Sequence, residues 1–316
     1  MASAWARDLG DVADAIPVCF DVGGIVRWIR LPDAPPNRFF DCGVLRGVER
    51  PTILHSDRAL LRKAAAAMPP RDVTAGVIAH ISRSGSTMLA ACMAEVRDVV
   101  VLSELPLISA LLASDDRGDP ALRRVLALYA QRFGVNRVVV KLLSKETVRL
   151  ARFRRSTGFP PAVVLFRHPV EVAVSNLQRP TLLDAKRNPA AAARSFGGSA
   201  AAIRRMSREQ FCAWILTGYL RRLVAAPPRK WATMIDYAEL DAETICRLTE
   251  SFLGPITPAE RAAIAAVLRV HSKRPTQRFR DDSASKRNAA TPRLLSALKE
   301  ATSLYERLAA SRNHGF

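Results

Sequence analysis

The sequence predicts an α/β protein, a central parallel sheet flanked by helices, preceded by a small N-terminal accessory segment. Three observations predict it. Apolar runs without alternation recur along the chain, helix-patterned segments separate them, and residues with chemical reach fall just after the runs. Strands covered on both faces have no wet side, so they read as unbroken Val, Ile and Leu.

Residues 1–72 differ from the rest. "VCFDVGGIVRWIRL" and "RFFDCGVL" read as short strands or hairpins, broken by "PDAPPN" and closed by "AAAAMPPRD". They form the accessory segment and leave 73–316 as the α/β domain. Strands are expected there at 74–81, 98–102, 137–143, 162–166 and 231–236. Helices are expected after Ser84, around 121–133, after Pro169, through 210–224 and over the C-terminal third. Such alternation is the mark of βαβ units in a doubly wound sheet. No internal repeat interrupts it.

Bulk properties narrow the class. A chain of 316 residues that is 49% apolar buries a full core and is not disordered. It has no run of about 18 uncharged apolar residues, so no membrane span is expected. The start "MASAWARDLGDVADAIPV" is acidic where a signal peptide is basic, which reads as a soluble, cytoplasmic chain. Five scattered cysteines (Cys19, Cys42, Cys92, Cys212, Cys246) include no CxxC pair, so neither a disulfide framework nor a zinc site is expected. The net charge of +19 rests on 40 arginines and eight lysines. It raises nucleic-acid binding as one reading. The arginines are spread along the whole chain without a basic tail or an aromatic platform, which reads first as an Ala- and Arg-rich composition coating the helices, and such a basic surface still favours an anionic small substrate.

In an open parallel sheet, ligands bind beyond the carboxyl ends of the strands. At the first such end stands "SRSGST", residues 82–87, which closes a strand and opens a helix. Gly85 permits close backbone approach, Ser84, Ser86 and Thr87 offer hydroxyls and first-turn N–H groups, and Arg83 offers a cationic fork. An ordinary serine N-cap would use the same letters. A Walker A loop would need Gly-Lys, and no glycine in this sequence precedes a lysine. That counts against an ATP-dependent kinase, which survives only with a degenerate phosphate loop. At the fourth strand end comes "VVLFRHPVEVAVSNLQR". Pro169 presets a helix start. Arg167 and Ser175, eight apart, are placed to share one phosphate, with Arg179 a further turn along.

These two motifs together resemble the sulfotransferases that use 3′-phosphoadenosine 5′-phosphosulfate (PAPS), most of all the branch of tyrosylprotein sulfotransferases and bacterial relatives whose loop begins with Arg. The resemblance covers residues 73 to 316 and implies the P-loop NTPase-like sulfotransferase fold. It implies that Arg83, Ser84, Gly85, Ser86 and Thr87 hold the 5′-phosphosulfate. Arg167 with Ser175, and Arg179 beyond, would hold the 3′-phosphate. Glu104, 21 residues after Arg83 in "VVVLSELP", falls where that branch carries its catalytic base. Tyr237 in "MIDYAEL" matches a turn whose tyrosine contacts the cofactor. "HSKRPTQRFRDDSASKR" is similar to the C-terminal cofactor loop, from Ser272 to Lys286. The chain departs from the pattern at Ile81 and Ser82, at His168 and at Ala238.

The implied reaction moves a planar SO₃ from a phosphate oxygen to an acceptor hydroxyl. Arg83 would stabilise the leaving phosphate, Glu104 would take the acceptor's proton, and no metal is required. Glu104 also reads as a plain capping acid before "LPLISALL", and His80 as a packed strand residue. Lys141 and Lys145 flank the third strand end where relatives carry a lysine near the acceptor. The hydroxyl acceptor stays open among peptide tyrosine, sugar, phenol, lipid and natural product. No nucleic-acid partner is expected.

Overall fold

The computed structural model describes residues 3–30, 39–41, 52–69, 72–113, 121–179, 182–225, 231–271, 274–278 and 282–310. In chain order, β1 (Ser3–Trp5), β2 (Ala15–Phe20), β3 (Val26–Arg30), β4 (Phe39–Asp41), β5 (Thr52–Ser56) and α1 (Arg58–Ala66) come first. The alternating part runs β6 (Thr74–His80), α2 (Ser86–Met93), β7 (Val99–Ser103), α3 (Pro106–Ala113), α4 (Ala121–Arg132), β8 (Arg137–Lys141), α5 (Leu150–Ser156), β9 (Ala162–Phe166) and α6 (Pro169–Gln178). Then follow α7 (Pro189–Phe196), α8 (Ala200–Arg205), α9 (Arg208–Ala225), β10 (Ala232–Asp236), α10 (Ala242–Leu253) and α11 (Pro258–Leu268). The short hairpin β11 (Val270–His271) and β12 (Arg274–Arg278) leads to α12 (Ser283–Asn288), α13 (Pro292–Ala297) and α14 (Lys299–Ala310).

Six strands in the order β10-β9-β6-β8-β7-β4 make an all-parallel sheet. The five expected strands are present within a residue or two of their sequence bounds. All residues of β7 and β9 are buried, as unbroken Val and Leu runs require of two-sided burial. Successive side chains alternate between two cores. Val99, Val101, Val139 and Val163 pack under α2, α10 and α11 with Leu89, Met93, Leu248 and Ile264. Val100, Leu102, Val140 and Phe166 face Val125, Phe153, Val172 and Leu216 of the opposite helices. Burying each such side chain contributes about 1.5–3 kcal/mol. At Gly76 a Cβ would come within 2.0 Å of the Phe252 ring, so the absence of a side chain is what seats α10 on β6.

The N-terminal residues make a second sheet, β1-β5-β3-β2, in which Trp28 Nε1 donates to Ser56 Oγ at 2.8 Å in the core. Two features of this region have no counterpart in the sequence reading. Residues 58–66 form a helix capped by Asp57, whose Oδ1 accepts from Leu60 N at 2.8 Å. And β4 pairs in parallel with β7, so one strand of the first 72 residues belongs to the main sheet. Three residues carry no periodicity to read. Among the described residues no helix is long and apolar enough to cross a membrane.

One cap ties the sheet's helices together. Glu260, 8% exposed, closes a capping box with Thr257 on α11 and also accepts the backbone N–H of Arg97, just past α2, at 3.0 Å. Those backbone hydrogen bonds, Arg97 first, hold its carboxyl down to about 2. Because the folded value lies below the unfolded one, the stabilisation is fully present above the ordinary carboxylate range and is lost as pH falls toward 2. Glu260→Gln should therefore lower the melting temperature at pH 7, and thermal melts across pH should show wild type and variant converging near pH 2.

Candidate active site

Because every strand of the main sheet is parallel, all carboxyl ends share one edge, and the chemistry gathers there. The turn from β6 into α2 is built by its own backbone. Arg83 (φ 62°) and Gly85 (φ 84°) both take left-handed conformations. A Cβ on Gly85 would lie 2.7 Å from Leu240 Cδ1 and 2.9 Å from Tyr237 Cδ2. Ser84, fully buried, turns its hydroxyl inward to the Ile81 carbonyl at 2.7 Å, so it holds the bend. Ser86 and Thr87 open α2, whose first-turn N–H groups have no partner within the helix. Arg83 Nη2 donates to the Arg179 carbonyl at 2.7 Å, while its Nε is buried without an acceptor among the described residues. Burial, with Arg179 beside it, lowers the Arg83 pKa from its ordinary value, against the pull of Glu104. A buried, open donor next to a helix start suits an anion.

Arg167 follows β9 directly and is 4% exposed. Its Nε donates to Glu171 Oε2 at 2.6 Å, its Nη2 to Asp282 Oδ1 at 3.1 Å and to Ser283 Oγ at 3.0 Å. Its guanidinium lies 3.8 Å from the centroid of the Tyr237 ring, a cation–π contact. Burial opposes the charge, but Glu171 outweighs it and raises the pKa. Burial pushes Glu171 up, and its bonds to Arg167 and Arg287 bring it below the usual range. Tyr237 is itself fixed by a capping box between Asp236 and Glu239, and Asp236 accepts from Tyr305 OH at 2.6 Å. Thus Tyr237 touches the Gly85 bend along its edge and Arg167 on its face. A cavity of about 770 Å³ opens here, walled by Arg167, His168, Tyr237, Arg287 and Tyr305.

Glu104 follows β7 with φ 56°, one of four non-glycine residues with positive φ among those described, Arg83 being another. Its N–H continues the ladder to the Lys141 carbonyl at 2.8 Å. Its Oε1 accepts from Lys141 Nζ at 2.5 Å and lies 3.3 Å from His80 Nε2. The register explains the meeting, since Lys141 lies opposite Ser103 on β7 and opposite Ile78 on β6. Burial drives the Glu104 carboxyl up, but His80 and the Lys141 ammonium prevail and hold it well below the usual range. His80 and Lys141 are themselves 4% and 3% exposed, and the His80 ring nitrogens lie 2.9 Å and 3.0 Å from the Ile81 and Leu142 carbonyls.

The sequence-derived residues divide accordingly. Arg83, Gly85, Arg167 and Tyr237 meet in one place, with Glu104 along the rim. Ser175 is half-buried one turn beyond Glu171 on α6, and none of the described contacts joins its hydroxyl to Arg167. Arg179 caps the end of α6 and contributes its carbonyl to Arg83. Lys286 is 9% exposed and pairs with Asp282 at 2.7 Å, and Ser272 lies outside the described residues. Glu171, Asn176, Asp282, Ser283 and Arg287 were not foreseen. Glu171 has a legible signal in its i,i+4 spacing from Arg167. Among the described residues no group of three or more His, Cys, Asp or Glu could hold a metal ion.

Taken together, the Gly85 bend, the Arg167 guanidinium and the Tyr237 ring between them converge at one edge of a parallel α/β scaffold. The sequence matches no known family profile and no curated protein. Solved structures with a similar course include the mouse sulfotransferase SULT7A1 complexed with PAP (14% identity, 79% of this chain, 89% of that chain, TM-score 0.43). Another is the sulfotransferase domain of the Synechococcus PCC 7002 olefin synthase (14%, 79% and 92%, 0.38). A third is the sulfotransferase from Alicyclobacillus acidocaldarius (15%, 74% and 97%, 0.35). At TM-scores below 0.5 these likenesses carry no functional argument, and the chain's own residues have to supply it. For the bend, Gly85→Ala combines a left-handed backbone with a collision against Tyr237 and Leu240. It should cost about 1–3 kcal/mol of stability, measured by urea unfolding.

Proposed function

We propose that the protein is a sulfotransferase that carries a sulfuryl group from PAPS to a hydroxyl acceptor. The observation that supports this reading above all is Tyr237, which joins the Gly85 bend to the Arg167 guanidinium. Two anion-binding elements far apart in sequence thereby flank one aromatic ring, as a nucleotide phosphorylated at both ends of its ribose requires.

In this reading the α2 N–H groups and Arg83, with its open Nε, bind the phosphosulfate end, and Arg167 with Ser283 and Arg287 binds the 3′-phosphate. The donor supplies an activated S–O bond. That bond breaks toward the 5′-phosphate as a new one forms to the acceptor oxygen, whose proton passes to Glu104. Both of that residue's close contacts fall on Oε1, so Oε2 is the oxygen for the proton. Lys141 and His80 keep the carboxylate ionised, which makes it ready but weakly basic. Such a base serves a loose transition state, where the proton leaves late.

Calorimetry should show binding of adenosine 3′,5′-bisphosphate without metal, and Arg167→Lys, which keeps the charge but loses the fork, should weaken it about 10-fold. Stabilisation by ATP with Mg²⁺ and none by the bisphosphate would make the protein a kinase instead. Once a labelled-PAPS screen has found an acceptor, Glu104→Gln should retain bisphosphate affinity and lower kcat about 10²–10⁴-fold.

A further inference from the structure

Of the five N–H donors of Arg167, four are engaged, both of those on Nη2 among them. Its Nε belongs to Glu171, its Nη2 to Asp282 and Ser283, its Nη1 reaches the Arg83 carbonyl at 3.5 Å, and its face is covered by Tyr237. An anion that binds at Nη2 has to replace one of these acceptors. Glu171 is fixed: its side chain is 3% exposed and its other oxygen takes Arg287 Nε at 2.7 Å. Asp282 is different. Its side chain is 52% exposed, and it precedes α12 without making a capping bond to that helix.

The position of Asp282 Oδ1 is itself that of a bound anion. One oxygen accepts from Arg167 Nη2 at 3.1 Å and from Lys286 Nζ at 2.7 Å, with the Ser283 hydroxyl 3.0 Å from the same Nη2. Three cations (Arg167, Lys286, Arg287) share two carboxylates in a partly desolvated cluster, which would otherwise hold an excess of buried positive charge. We infer that Asp282 occupies the phosphate subsite of the ligand-free chain as an internal competitor, and that a phosphate monoester binds by displacing it. The inference rests on the proposed reading of Arg167 as an anion anchor.

A competitor of one charge sets a threshold for its replacement. A singly charged group gains nothing over the carboxylate already present, whereas a phosphate dianion brings more charge and three acceptor oxygens to the same donors. Asp282 thus lowers the affinity for every ligand that uses the subsite and raises the discrimination against those that carry a weaker anion.

The test compares wild type with Asp282→Asn and with Asp282→Ala, since an asparagine carbonyl still accepts weakly from Arg167. Titrated by calorimetry, both variants should bind adenosine 3′,5′-bisphosphate about 5–50-fold more tightly than wild type. Adenosine 5′-monophosphate, which lacks the competing phosphate, should bind all three proteins alike. Unchanged or weaker bisphosphate binding would overturn the inference and leave Asp282 as an orienter of Lys286. An equal gain for both nucleotides would overturn it as well. If wild type binds neither nucleotide, the sulfotransferase reading falls, and inorganic phosphate then decides the matter for Asp282. Thermal shifts of both variants should saturate at about 10-fold lower phosphate concentration than wild type, and coincident curves would end the proposal.

Discussion

The site depends on the burial of one guanidinium. Arg167 is nearly removed from water, and a charge so placed is tolerable only with a partner of opposite sign and a full set of hydrogen bonds. Glu171 supplies the charge from the first turn of α6, and it is equally buried. The pair fixes how α6 leaves β9, and through the second Glu171 oxygen it draws α12 over the sheet edge. Tyr237 completes the enclosure from β10. Three segments far apart in sequence, β9 with α6, the turn after β10, and α12, therefore converge because one cation has to be satisfied, and the same convergence shapes the cavity.

A second charged group along the rim follows the opposite logic. Glu104 carries two close cationic or donor neighbours on one oxygen and is left with the other. Those neighbours are far more buried than Glu104 itself. The strand ends thus carry a rigid, dry base of His80 and Lys141 beneath a more exposed carboxylate. Its backbone, like that of Arg83, is held where side chains are rarely found. Strain at both positions is maintained by the sheet's register and by the Arg179 carbonyl, a cost that a surface loop would relax.

Much of this was legible in the sequence, for identifiable reasons. Buried parallel strands announce themselves as continuous apolar runs, and the rule that ligands bind past their carboxyl ends turns five runs into a short set of candidate residues. Arg83, Gly85 and Arg167 were singled out in that way, and Tyr237 through the resemblance of "MIDYAEL" to a cofactor-contacting turn. Ser175 was reached by spacing along one helix, but spacing cannot report that Glu171, a turn earlier, has already taken the arginine. The segment that carries Asp282 and Ser283 resembles a cofactor loop, but their contacts with Arg167 were out of reach because they come from the arrival of α12, more than 110 residues later. Strand β4 lies in a stretch that reads as a strand, but its pairing with the main sheet was out of reach for want of length, and α1 was missed because its alanines read as the close of a segment.

Strand order has a consequence for how the chain acquires its shape on the ribosome. The bend at Arg83 is emitted early, yet apart from the local bond of Ser84 to Ile81 its braces come later. His80 N–H awaits Thr147, Ile81 awaits Leu165, Ser82 awaits Asn176, Arg83 awaits Arg179, and Gly85 awaits Tyr237. Flanked in the finished sheet by β8 and β9, β6 has no hydrogen-bonding neighbour of the main sheet until those strands emerge. A nascent chain halted before β8 would hold an apolar strand with bare edges, a natural client for a chaperone that shields such edges during translation.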